Sequence, residues 1–245
     1  WTAGAAQDLG SYETLGMLKT RISDWHLFLN VANVQLIGVN PNTAYKSAKD
    51  VLDAMKAKPG QVTVATAGVT SAGHNAMELI AKNTGVKYRH VTYDGGNPAV
   101  VATVAGETEV TTQLAVEQAD MIRGKRIRPL ATVSDKPLDL EGFGMIEPLS
   151  KTLPGFKAPA NYFGIFIPKG VPDEVVKTVE KIWADQMTKS DALKKYATSR
   201  GALFAPYQGA EAVTAVTPAV QANAWLLFDS GKAKVSPDTV GIARP

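Results

Sequence analysis

Between Asn40 and Val133 the spacing of apolar and polar positions changes period in a regular rhythm. Val51, Leu52 and Met55 recur at helical spacing behind Ser47, with Asp50 three residues on in a capping-box arrangement, and Pro59-Gly60 stops the run. Residues 61–66 then read as a short strand rich in β-branched side chains. A loop at 67–70 leads into a second helix that runs to about Asn83 and ends at Gly85, with Met77 and Ile80 turned inward. The alternation continues with a strand at 88–93, a turn Asp94-Gly-Gly-Asn-Pro98 whose proline suits the first turn of a third helix, a strand at 109–113, a helix at 116–123 and a strand at 127–133. Such a β–α–β–α rhythm predicts an α/β fold: a doubly wound, mainly parallel sheet with helices on both faces.

The rhythm breaks after Ser134. Residues 136–159 are rich in Pro and Gly and read as a long irregular connection, after which Asn161–Pro168 has the pattern of a buried strand. Pro172-Asp-Glu opens a helix with Val175, Val176, Val179, Ile182, Trp183 and Met187 as its apolar stripe. Residues 190–200 form another helix ending at Gly201, and 210–228 a last one in which Pro218 marks a kink or break. The expected division is a compact ligand-binding lobe at 37–132, with 1–36 and 133–245 as two parts of a second lobe that is short of strands.

Composition narrows the classes. With 245 residues, 45% hydrophobic and 20% charged, the chain can build real cores and is far from the disordered regime. Cysteine is absent, which removes disulfides, thiol nucleophiles and sulfur-ligated zinc. No run approaches the roughly 18–20 apolar residues of a membrane span. The chain starts at Trp1 without a basic-then-apolar leader, as a mature or incomplete chain would. Net charge is +3, and the densest basic cluster, Arg123-Gly-Lys-Arg-Ile-Arg128, has no interleaved aromatics, so it reads as a helix C-terminus entering a strand and not as a nucleic-acid surface. The histidines, His26, His74 and His90, lack metal-ligand spacing, and no metal or cofactor is expected. Trp1, Tyr12, Trp25, Tyr162 and Trp225 suit either a cleft or, more commonly, a core.

The most informative stretch is Gly68-Val-Thr-Ser-Ala-Gly-His74, between a predicted strand and a predicted helix. Unpaired backbone N–H groups and the helix dipole favour an anion there, and Gly68, Thr70 and Ser71 are the expected contacts. Thr70 or Ser71 also suits the helix cap, a role compatible with binding. His74, in the first helical turn, either meets a ligand or packs as a neutral core residue. A Walker A loop would need Lys-Ser/Thr where His74-Asn75 stand, and a nucleophile elbow would need glycine where Val69 stands. A serine hydrolase using Ser71, with His90 or His74 as base, is the enzymatic alternative. A second anion-friendly turn holds Asp94, Gly95 and Gly96, where Asp94 caps the helix or meets a ligand ammonium. Thr111-Thr112-Gln113 ends the next strand at the same edge and offers neutral donors, with Thr112 the expected contact.

Several blocks occur in order: Leu36-Ile-Gly-Val-Asn-Pro41, Lys58-Pro-Gly60, the 68–74 loop, His90-Val-Thr-Tyr-Asp-Gly-Gly96, Gly106-Glu-Thr-Glu109, the 122–131 segment and Tyr162-Phe-Gly-Ile-Phe-Ile-Pro-Lys-Gly-Val-Pro172. As an ordered set they resemble the extracytoplasmic receptors of tripartite tricarboxylate transporters, the Bug family, over about 25–204. The resemblance implies a two-lobed Venus-flytrap receptor in the periplasm, monomeric, that closes on a small mono- or dicarboxylate and presents it to membrane permease subunits. It implies hinge strands near 36–39 and 132–134, with one carboxylate held by the loop at 68–74. The family's first strand, Pro/Gly-rich loop and helix have no counterpart before Trp1, where half of the binding site would be expected.

Overall fold

The computed structural model describes residues 2–245, and the chain divides into two compact units. One contains the chain up to Asn33, 159–197 and 203–245; the other contains 34–158 and 198–202. The chain opens with β1 (Thr2–Ala5), α1 (Asp8–Thr14) and β2 (Trp25–Asn33). It continues with β3 (Leu36–Val39), α2 (Ala48–Ala57), β4 (Thr63–Thr66), α3 (Ala72–Thr84), β5 (Arg89–Thr92), α4 (Gly96–Ala105), β6 (Val110–Thr111), α5 (Ala115–Arg123) and β7 (Arg128–Thr132). A hairpin of β8 (Leu138–Leu140) and β9 (Gly144–Ile146) follows, then β10 (Asn161–Pro168), α6 (Asp173–Asp185), α7 (Asp191–Arg200), β11 (Ala202–Phe204) and α8 (Gly209–Asp229).

The unit around 34–158 is a five-stranded sheet ordered β5-β4-β6-β3-β7. β4 pairs in parallel with β5 and β6, while β3 runs antiparallel between β6 and β7. The sheet is therefore mixed, with one reversed strand in an otherwise parallel set. Side chains alternate across it as a period of two requires. Ile37, Val39, Val64 and Val110 join Val51, Leu52 and Met55 of α2 and Met77 and Ile80 of α3 in one core. On the other face of β3, Gly38 leaves room for α5: a Cβ there would stand 2.0 Å from Gln118 Oε1. Helices thus cover both faces, as the rhythm predicted.

Local signals set the helix ends. Ser47 caps α2, accepting from Asp50 N at 3.2 Å while Asp50 accepts from Ser47 N at 2.9 Å. Gly85 closes α3 in the left-handed region at φ 71°. Residues 133–158 are a correction: expected as an irregular part of the flanking lobe, they belong to this unit. Their hairpin pairs Leu138 with Ile146, and Leu149 and Phe156 are buried in the core beneath α2 and α3. Apolar residues spaced among Pro and Gly made this a satellite of the sheet, and that burial carries the unit's boundary beyond 132–134.

The other unit is built on β1-β10-β2-β11, with β10 antiparallel to both β1 and β2. Leu27, Leu29 and Phe166 pack there against Ala212, Val216 and Val220 of α8, and Tyr12, Trp25 and Tyr162 pack against the same core. Trp225 is buried as well, so these four aromatics fill or border the core; Trp1 lies outside the described residues. The α6 stripe is narrower than expected. Val176 and Trp183 are buried, the latter donating to Leu29 O at 2.7 Å, while Val175 and Ile182 are exposed. No helix among the described residues is long and apolar enough to cross a membrane.

Candidate binding edge of the parallel sheet

The register brings three strand ends to one edge, since Thr66 lies opposite Thr92 and Ala65 opposite Thr111. The turns after β4, β5 and β6 leave from that edge, and each feeds a helix: α3, α4 and α5. In open α/β sheets this is where ligands settle.

The turn into α3 is held by short-range bonds. Gly68 adopts φ 129°, a conformation side chains resist, so the chain reverses there. Its carbonyl accepts from Ser71 Oγ at 2.9 Å and from Ser71 N at 3.2 Å. Ser71 caps α3, its hydroxyl accepting from His74 N at 3.2 Å. The hydroxyl is thus engaged with backbone on both sides, and Thr70 is the exposed hydroxyl residue of the loop. The next amides, Ala72 and Gly73, lie in the first turn, where no intrahelical carbonyl reaches them. They are the donors an anion would use.

Thr112, expected to offer its hydroxyl to a ligand, is fully buried and donates to Gly73 O at 2.6 Å. It clamps α3 to β6 instead. His74 is also buried, 2% exposed, and stacks on His90 with ring centroids 4.2 Å apart. His90 Nε2 lies 2.6 Å from Thr66 Oγ1, and His74 Nε2 lies 3.5 Å from Glu78 Oε1, which accepts from Tyr88 OH at 2.6 Å. Burial first, and then this bond to Glu78, raises the Tyr88 phenol well above its usual range. The two imidazoles form a packed layer behind the loop. Ser71 Oγ is bonded to backbone on both sides.

At α4 the capping position is Gly95, at φ 116°, and Asp94 is exposed and outside the cap. The turn into α4 packs against side chains that lead into α5. Glu117 Oε1 lies against Gly96, 1.9 Å from where a Cβ would stand, and Gln113 Nε2 lies 2.4 Å from the same point. Glu117 Oε2 accepts from Leu114 N at 3.0 Å and from Gln113 Nε2 at 3.1 Å. Burial raises the Glu117 carboxyl above its usual range, partly offset by those two bonds. A carboxylate of the protein therefore packs against Gly96, in the turn where Gly95 and Gly96 were the expected ligand contacts. Gln113 was expected at this edge only as a neutral donor, and the sequence reading missed Glu117. The available signal was an acid six residues past the end of β6, at the third position of α5.

Residues 20–214 match the profile described as Tripartite tricarboxylate transporter family receptor. Among curated relatives, a UPF0065 protein from the tcbD-tcbE intergenic region of Pseudomonas sp. (strain P51) is 32% identical over 140 residues, 57% of this chain and 41% of that protein. Protein BugT of Bordetella pertussis is 28% identical over 148 residues, 60% of this chain and 44% of its own length. The matched region thus spans less than half of each relative. MatC (Rpa3494) of Rhodopseudomonas palustris, solved with bound malate, shares the fold with a TM-score of 0.75 at 20% identity, covering 93% of this chain and 77% of that one. Rpa4515 of R. palustris, solved with adipate, gives a TM-score of 0.71 at 20% identity, covering 86% and 70%.

Proposed function

The chain belongs to the tripartite tricarboxylate transporter family of receptors, and from that membership we propose that it is a non-catalytic, periplasmic solute receptor for a small organic carboxylate. One ligand carboxylate sits at the first turn of α3, on the amides of Ala72 and Gly73 with Thr70 beside them. The protein works as a monomer and hands the ligand to membrane permease subunits. The observation that carries the reading is the start of α3: neutral amide donors at a sheet edge, backed by a packed layer of side chains. Such donors hold an anion without a buried ion pair that would be costly to open. The malate and adipate bound to the two R. palustris proteins are of the ligand class proposed here.

Titration calorimetry of the chain against mono- and dicarboxylates, with ester turnover measured in parallel, tests this. Carboxylate binding without turnover is expected. Ser71→Ala, which loosens the cap behind the donors, is expected to weaken binding about fivefold, the effect of one modest hydrogen bond. Absence of any carboxylate binding, together with ester turnover that disappears in Ser71→Ala, would establish the hydrolase instead.

A further inference from the structure

Resting on the carboxylate site proposed above, we propose that Gln113 and Glu117 form an acceptor pole beside the donor amides of α3, so that the ligand is a carboxylate also carrying a hydrogen-bond donor, a hydroxyl or an ammonium.

The amide of Gln113 spans the starts of two helices. Its Nε2 donates to Glu117 Oε2 at 3.1 Å. A carboxylate only accepts, so this bond fixes which end of the amide faces Glu117. Oε1 must then turn the other way, against the first turn of α3, where it lies 1.9 Å from the Cβ position of Gly73. Gln113 is 2% exposed, and Oε1 is buried without a hydrogen-bond partner. A buried acceptor of this kind is costly to leave unmet, so its position points to a donor brought from outside.

Charge argues in the same direction. Glu117 packs against Gly96 at the start of α4, and the exposed Asp94 lies two residues before Gly96 in the same turn. The edge thus offers amide donors at α3 and acceptors at Gln113 and Glu117. A plain carboxylate would use the first and face the second without compensation. A ligand with a donor next to its carboxylate satisfies both, and an ammonium would also offset the partly buried charge of Glu117.

Calorimetry with sets of equal skeleton reads this directly: propionate, lactate and alanine; succinate, malate and aspartate; glutarate, 2-hydroxyglutarate and glutamate. In at least one set a donor-bearing member is expected to bind about tenfold tighter than its parent, the effect of one charge-assisted bond. Glu117→Gln retains an acceptor for Leu114 N, and Gln113→Leu removes the amide at similar volume. At least one of them is expected to cut that preference to about threefold or less, with the parent acid, relieved of an uncompensated acceptor, binding more tightly than before. A parent acid that binds as tightly as its derivatives, or a preference unchanged in both variants, overturns this inference and leaves the receptor reading standing. If no acid of any set binds, the receptor reading falls and this inference with it.

Discussion

Asp8 illustrates how a single residue sets a pH dependence. It stands in the first turn of α1, and burial raises its carboxyl from 3.8 to about 6. An acid whose folded value lies above its unfolded value holds its proton more tightly when folded. Its stabilising contribution is therefore full below pH 3.8 and is lost as pH rises through 6. A shift of this size corresponds to up to about 3 kcal/mol lost across that window. Urea unfolding at pH 4 and pH 7 should show Asp8→Asn gaining stability on the wild type by up to that amount as pH rises. An unchanged difference between the two proteins at both pH values would show that Asp8 titrates in the folded state as it does in the unfolded chain.

Elements respond to what they pack against as much as to their own residues. Pro218 suggested a kink or break; there is no break, and α8 runs from Gly209 to Asp229 through it. Pro218 is exposed, while Val216, Ala219 and Val220 around it are buried against the core shared with α1. Nearby hydroxyls also return to the backbone, Thr214 to Ala210 O at 2.9 Å and Thr217 to Val213 O at 2.7 Å. Burial of that stripe outweighs the lost ladder bond and ring clash of an interior proline, about 3 kcal/mol. Pro218→Ala should therefore stabilise the protein by about 1–3 kcal/mol, read as a raised denaturant midpoint at constant m-value. A midpoint that does not rise would mean that the helix is relaxed around its proline.

At the scale of the molecule, the chain crosses between its units at Asn33–Val34, Ala158–Pro159, Ala197–Thr198 and Ala202–Leu203. The first crossing lies close to the strand at 36–39 expected from the resemblance; the second comes well after 132–134. A ligand that binds only the folded chain stabilises it by mass action. At one hundred times its dissociation constant, a bound acid should add about 2.7 kcal/mol. Thermal scans at increasing concentration check this, and a midpoint indifferent to a ligand that calorimetry shows bound would mean that the unfolded chain binds it equally.

Ser47 with Asp50, Gly85, the β-branched run before Thr66 and the glycines at 68 and 95 announced most of the α/β unit and its edge from the sequence alone. Capping, turn conformation and period are local, so each is decided by a few neighbours along the chain. The ordered blocks from Leu36 to Pro172 identified the family in the same way. Tertiary structure decided the rest, because burial and polar partners depend on residues distant in sequence. It reversed β3 within the sheet, drew 133–158 into the core and carried α8 through Pro218. It turned the Thr112 hydroxyl onto Gly73 and stacked His74 on His90. It also brought Gln113 and Glu117 against the starts of α3 and α4, because those contacts join residues from different elements of the sheet edge.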